Sequence, residues 1–178
     1  MKLLRTIQLD PSDTLVFERA AEPGEWAVSG AFMFAGVDPE TLNGKARAAF
    51  RTGFLGVQSF GWSSLAQIVE VTEAQHKIVI ESLTYQLRER LGAPDIAAAS
   101  AAAEEELAFV VSLCDRPKDT LIAVHRTLED GAIRESFRSL HLPGEHLPMR
   151  AFSFLEVEGE DEPVEEVNLV NLAKGERT

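Results

Sequence analysis

Residues 72–115 read TEAQHKIVIESLTYQLRERL-GAPD-IAAASAAAEEELAFVVSLCD, two helix-length segments separated by a four-residue break. Thr72 and Gln75 have capping-box spacing, in which each side chain bonds the other residue's backbone N–H, so a helix is expected to open at Thr72. At about 100° per residue, His76, Ile80, Leu83, Leu87 and Leu91 fall on one stripe, with Ile78 and Tyr85 almost opposite. Gly92 suits a left-handed C-terminal cap, Pro94 cannot continue the helix, and Asp95 is a good N-cap for a second one. Along that second helix Ile96, Ala99, Ala103, Leu107, Val110, Val111 and Cys114 share a face, with Glu105 and Ser112 pointing away. Its alanines permit close approach of a helix or a sheet.

Outward from this helical hairpin the pattern turns to strands. Lys2–Leu9 alternates as a strand, Asp10-Pro11-Ser12-Asp13 supplies a turn, and Thr14–Arg19 is a β-rich run. Trp26–Phe34 reads as a strand covered on both faces, and Leu65–Val71 as a strand feeding the helices. A short helix is expected through Lys45–Arg51, behind Asp38-Pro39-Glu40. On the C-terminal side Asp130-Gly131 is a two-residue hairpin signal between Thr120–Leu128 and Ala132–Leu142. Its register would pair Leu128 with Ile133, Arg126 with Glu135, Val124 with Phe137 and Ile122 with Ser139, with Arg126 and Glu135 as an opposite-charge pair. Arg150–Val157 reads as a further strand. Strands that precede and follow the helices, rather than alternating with them, indicate an α+β fold: an antiparallel or mixed sheet covered by a two-helix hairpin. One domain is expected over residues 1–157, followed by an acidic extension over 158–178.

The chain has 178 residues, enough for one core without metal or disulfide staples. Its formal charge is −12, and residues 158–178 carry seven carboxylates against Lys174 and Arg177. Such a field repels phosphate backbones, and Lys and Arg nowhere cluster with aromatics, so no nucleic-acid partner is expected. Charge enters the N-terminus at once, in Met1-Lys2-Leu3-Leu4-Arg5, unlike a signal peptide. No segment has the roughly 20 apolar residues of a membrane span, and a single cysteine makes no internal disulfide. These features fit a cytoplasmic protein without a membrane partner.

Several residue groups have chemistry to weigh against plain structural roles. In an antiparallel hairpin His76 and Cys114 would lie at the same end, where an imidazole could stabilise a thiolate and Glu73 could orient the ring. A cysteine on a core stripe is more often a small buried hydrophobe. His141, Glu145 and His146 offer three potential metal ligands within six positions, with His125 as a fourth, but the spacing matches no zinc signature. Gly53–Ser64 could line a pocket in which Phe60 or Trp62 stacks a ligand and Ser59, Ser63 or Ser64 bonds it. It contains neither a nucleophile elbow nor a phosphate loop, and a turn packed by Trp62 is the more frequent case. Glu104-Glu105-Glu106 reads as a solvated acidic turn, because carboxylate di-iron sites need four long helices. No motif calls for a cofactor.

The blocks Phe17-Glu18-Arg19-Ala20-Ala21-Glu22-Pro23-Gly24-Glu25-Trp26-Ala27-Val28, Gly61-Trp62-Ser63-Ser64-Leu65 and Gly92-Ala93-Pro94-Asp95 resemble an uncharacterised bacterial family found mainly in alphaproteobacteria. The resemblance covers most of the chain and implies a small bacterial domain of unknown function, with no active-site residues to carry over. From the residues, the leading expectation is a non-catalytic accessory or protein-interaction domain, as a homodimer or with another protein, using Ile78 and Tyr85 on the outer face of the first helix. The competing expectation is a small-molecule-binding domain or enzyme whose pocket, between sheet and hairpin, is lined by Phe60, Trp62, His76 and Cys114.

Overall fold

The computed structural model describes residues 1–141, apart from the His141 side chain, and the backbone of residues 156–158. Among the described residues eight strands form one sheet: β1 (Lys2–Ile7), β2 (Trp26–Val28), β3 (Phe54–Gly56), β4 (Trp62–Ser63), β5 (Leu65–Glu70), β6 (Leu121–Glu129), β7 (Ala132–His141) and β8 (Glu156–Glu158). Their spatial order is β4-β3-β2-β1-β5-β6-β7-β8, and every strand pairing is antiparallel. The helices are α1 (Asp13–Val16), α2 (Gly44–Thr52), α3 (Glu73–Leu91) and α4 (Ile96–Leu113). The fold is α+β with an antiparallel sheet. No helix among the described residues is long and apolar enough to cross a membrane.

Helix boundaries follow local chemistry. The Thr72 hydroxyl accepts from Gln75 N, and Gln75 Oε1 accepts from Thr72 N, completing the capping box at the start of α3. Gly92, at φ 66°, closes α3 in the left-handed conformation. Asp95 Oδ1 then accepts from Ala98 N at 2.7 Å and opens α4. The buried line of α3 is Val79, Leu83 and Leu87, whereas His76 and Ile80 are half-buried and Leu91 is exposed. The stripe is therefore rotated toward Val79 relative to the one expected. On α4, Ala99, Ala103, Leu107, Val110 and Cys114 are buried, while Ile96 and Val111 are not. The buried residues of both helices share a cluster with Leu3, Leu4, Ala27, Phe54, Ile68, Ile122 and Val124 of the sheet.

The β6–β7 hairpin has the expected register throughout, from Glu129 opposite Ala132 to Ile122 opposite Ser139. Asp130 and Gly131 both take positive φ, 51° and 75°, as a two-residue turn matched to strand twist requires.

Two expected strands are interrupted. Thr14–Arg19 is not a strand: residues 13–16 form α1, and of the apolar residues in this run only Phe17 is buried. Asp10 Oδ1 accepts from Ser12 N, and Thr14 donates to Pro11 O through both its N–H and its hydroxyl. Such local side-chain bonds favour a turn of helix over a strand ladder. Trp26–Phe34 stops being a strand at Val28, where Gly30, at φ 79°, leads into a 3-10 turn over Ala31–Phe34. A Cβ at Gly30 would lie 2.6 Å from Leu55 Cβ, so this close approach needs glycine for space as well as for φ. The turn carries Ser29, Gly30 and Phe32 to the end of the sheet where the polar side chains of β6 and β7 meet.

Candidate functional site

The fully buried Arg126 organises that region. Its Nε donates to Glu135 Oε2 at 2.8 Å, the cross-strand pair of the β6–β7 register. Its Nη1 donates to Phe50 O at 3.0 Å and Gly53 O at 2.7 Å, with Ala49 O at 3.5 Å, so it caps the C-terminal carbonyls of α2. Its Nη2 bonds Ser29 through both the carbonyl and the hydroxyl oxygen. Burial draws the guanidinium below its ordinary pKa, opposed by the charge and hydrogen bond of Glu135 and then by the charge of Glu106. One cation thus ties Ser29, just past β2, the end of α2, β6 and β7 together, with its donors directed at protein oxygens.

A groove of about 610 Å³ lies beside this cluster, lined by Phe32, by Leu87 and Leu91 of α3, by Ala102, Glu105, Glu106 and Phe109 of α4, and by Glu135 of β7. Leu91 and Phe109 are 46% and 37% exposed. Phe109 packs edge-on against Phe137, ring centroids 5.8 Å apart. Glu135 Oε2 accepts from Ser29 Oγ at 2.5 Å as well as from Arg126, so its carboxylate is held from two sides. Glu106 Oε1 accepts from Gly30 N at 3.3 Å.

Glu106 corrects the expectation of a solvated acidic turn. Glu104 and Glu105 are exposed, but Glu106 is half-buried against the Gly30 turn. Burial raises its carboxyl above the ordinary carboxylate range, and the Glu135 charge adds to this. The Gly30 N–H, the charge of Arg126 and a backbone bond to Ser29 act the other way. For a carboxyl raised on folding, the full penalty is present above the folded pKa and vanishes below the unfolded one. Stability is therefore expected to fall as pH rises through that window. Glu106→Gln should accordingly gain stability relative to the native chain at about pH 8 and little at about pH 4, as read by urea denaturation. An equal change at both pH values would contradict this account of Glu106.

The four pocket residues expected from the sequence, Phe60, Trp62, His76 and Cys114, are not among those lining this groove. Phe60 is buried with φ 57°, and the Arg90 guanidinium lies 5.1 Å from its ring centre. Trp62 is half-buried and stacks on Phe34 at 5.3 Å, against the core. Cys114 is buried, its thiol pushed up to about 12 chiefly by that burial, the reverse of what a nucleophile needs. His76 is half-buried, and no hydrogen bond among the described residues joins it to Cys114.

The hydroxyls of Gly53–Ser64 are turned to internal use. Ser59 N and Oγ donate to Glu25 at 3.0 and 2.6 Å. Ser63 Oγ donates to Leu65 O, and Ser64 donates to Asp13 through N and Oγ. Glu25 packs so close to Gly56 that a Cβ there would lie 1.4 Å from Glu25 Oε1. The segment is a clamped hairpin end in which each of these serines serves the fold.

Ile78 and Tyr85, expected at an interface, are 55% and 64% exposed on the outer side of α3. Glu145, His146 and the His141 side chain lie outside the described residues. Among the described residues, no group of three or more His, Cys, Asp or Glu side chains is placed to hold a metal ion.

The chain belongs to a family of unknown function (DUF6505), whose family model matches residues 1–155. No curated protein and no solved structure matches it significantly.

Proposed function

We propose that this member of a family of unknown function is a ligand-binding domain, with its site in the groove between α3, α4 and the Gly30 turn. In this reading residues 1–157 are one unit in which the α3–α4 hairpin covers a face of the sheet and supplies one wall of the site. What supports it is a single coincidence: the accessible apolar side chains Leu91 and Phe109 sit beside two carboxylates anchored from behind, Glu106 by the Gly30 N–H and Glu135 by Arg126 and Ser29. Small-molecule sites are concave, mostly apolar, about 300–1,000 Å³ in volume, and carry a few fixed polar groups. A thermal-shift screen of small amphiphiles against the native chain and Phe109→Asp tests this, because a ligand selective for the native state raises Tm. Compounds that stabilise the native chain but not the variant are expected. A screen in which every hit stabilises both equally would move the site elsewhere.

Ile78 and Tyr85 favour a second reading, an accessory protein that associates through the outer face of α3 as a homodimer or with another protein. Sedimentation is then expected to give a dimer that Ile78→Asp dissociates, whereas a monomeric native chain would remove the homodimer.

A further inference from the structure

We propose that the groove takes a small organic cation, a protonated amine carried on an apolar body, with the ammonium group between Glu106 and Glu135 and the body along Leu91 and Phe109; this rests on the groove being the binding site. The donor and acceptor inventory of its walls supports the choice. Phe32, Leu87, Leu91, Ala102 and Phe109 contribute no side-chain donor, and the polar side chains of the lining are Glu105, Glu106 and Glu135, which accept when ionised. An anionic or purely accepting ligand would therefore meet repulsion and find no side-chain partner in the lining.

The neighbouring cation does not alter this. The Nε, Nη1 and Nη2 groups of Arg126 are engaged by Glu135, by the α2 carbonyls and by Ser29, and the residue is sealed from solvent. Both of those hydrogen bonds to Glu135 fall on Oε2. No hydrogen bond among the described residues reaches Glu135 Oε1, which is available to a donor arriving from the groove. Glu106 and Glu135 also repel each other, and a cation between them turns that repulsion into attraction. The apolar wall supplies the remaining selectivity, favouring an ammonium with an aliphatic or aromatic body over a bare inorganic ion. At longer range the formal charge of −12 draws cations toward the chain.

Because ionised Glu106 is the form that binds, affinity should weaken as pH falls through its raised carboxyl range. The charges facing it are Glu135 on β7 and Arg126 on β6, with Glu105 beside it on α4.

Calorimetric titration of the full chain with three probes of one body, hexylammonium, 1-hexanol and hexanoate, tests the proposal. Hexylammonium is expected to bind about tenfold more tightly than hexanol, the ratio of one charge-assisted contact to a neutral one, and hexanoate least. Glu106→Gln should remove most of that ratio while leaving hexanol binding in place, and Glu18→Gln, which removes the same negative charge outside the groove, should leave the ratio intact. Hexanol binding as tightly as hexylammonium would overturn the cation proposal and leave the groove as a binding site. Hexylammonium binding that responds alike to both substitutions would mark general attraction to an acidic protein and overturn the proposal too. If none of the three probes binds, the groove itself fails as the site.

Discussion

Arg126→Met is expected to destabilise the native state by about 3–5 kcal/mol, the cost of removing one member of a buried charged pair and leaving its partner behind. The substitution deletes the bond to Glu135 and uncovers the carbonyls of Phe50 and Gly53 and both oxygens of Ser29. Each buried acceptor left unpaired adds to the loss. Arg126→Lys should recover little, because a compact ammonium cannot span the carboxylate, the end of α2 and Ser29 as a planar fork does. Guanidinium denaturation midpoints measure this, with Arg126→Met combined with Glu135→Gln as a control. If the stranded Glu135 charge contributes to the loss, the double variant should be less unstable than the sum of the single changes. A single variant within about 0.5 kcal/mol of the native chain, the range of ordinary surface changes, would contradict the role given to Arg126.

Leu83→Ala is expected to cost about 2–5 kcal/mol, through lost burial and the cavity left in the core. Leu83 is fully buried on the line Val79–Leu83–Leu87. Tyr85→Ala, two positions along the same helix but on its outer side, should change monomer stability by no more than about 0.5 kcal/mol. Thermal and chemical unfolding of the two variants side by side checks the orientation of α3. Comparable losses would mean that the helix buries a different face.

The Leu83 contrast also bears on what was legible in the chain. The helix ends were written in local chemistry: Thr72 with Gln75, Gly92, and Asp95 act within a few residues of themselves and could be read directly. The β6–β7 register followed from Asp130-Gly131 alone, because a two-residue turn leaves no freedom in the pairing. The exact buried line of α3 did not follow. With Ile78, Val79 and Ile80 adjacent, periodicity tolerates more than one apolar face, and only tertiary packing in the core selects Val79 over His76 and Leu91.

The candidate site was harder to see for a related reason. The register pairs Arg126 with Glu135 on the mostly apolar face of the hairpin, but it does not show how a charged pair is accommodated there. Its burial depends on the end of α2 and on the Gly30 turn, which lie far away in sequence. Glu106 was hidden inside a triplet of glutamates. The triplet spans about 200° of helix, so one member can point inward while the others stay solvated. Gly30 carried the available signal, as a glycine interrupting an otherwise strand-like run marks a bend or a close approach. The serines of Gly53–Ser64 misled in the opposite sense. Hydroxyls next to glycine and aromatics suit a pocket equally well as a clamped turn, and Glu25 and Asp13, which bind Ser59 and Ser64, are many residues distant.

The groove as the binding site is tested most directly by an amide chemical-shift map of the full chain titrated with hexylammonium. Saturable shifts confined to Gly30, Phe32, Leu91, Ala102, Glu106 and Phe109, needing about tenfold more hexylammonium to saturate in Glu106→Gln, are the expected result. Saturable shifts centred on Phe60, Trp62, His76 and Cys114, or none that saturate, would contradict it.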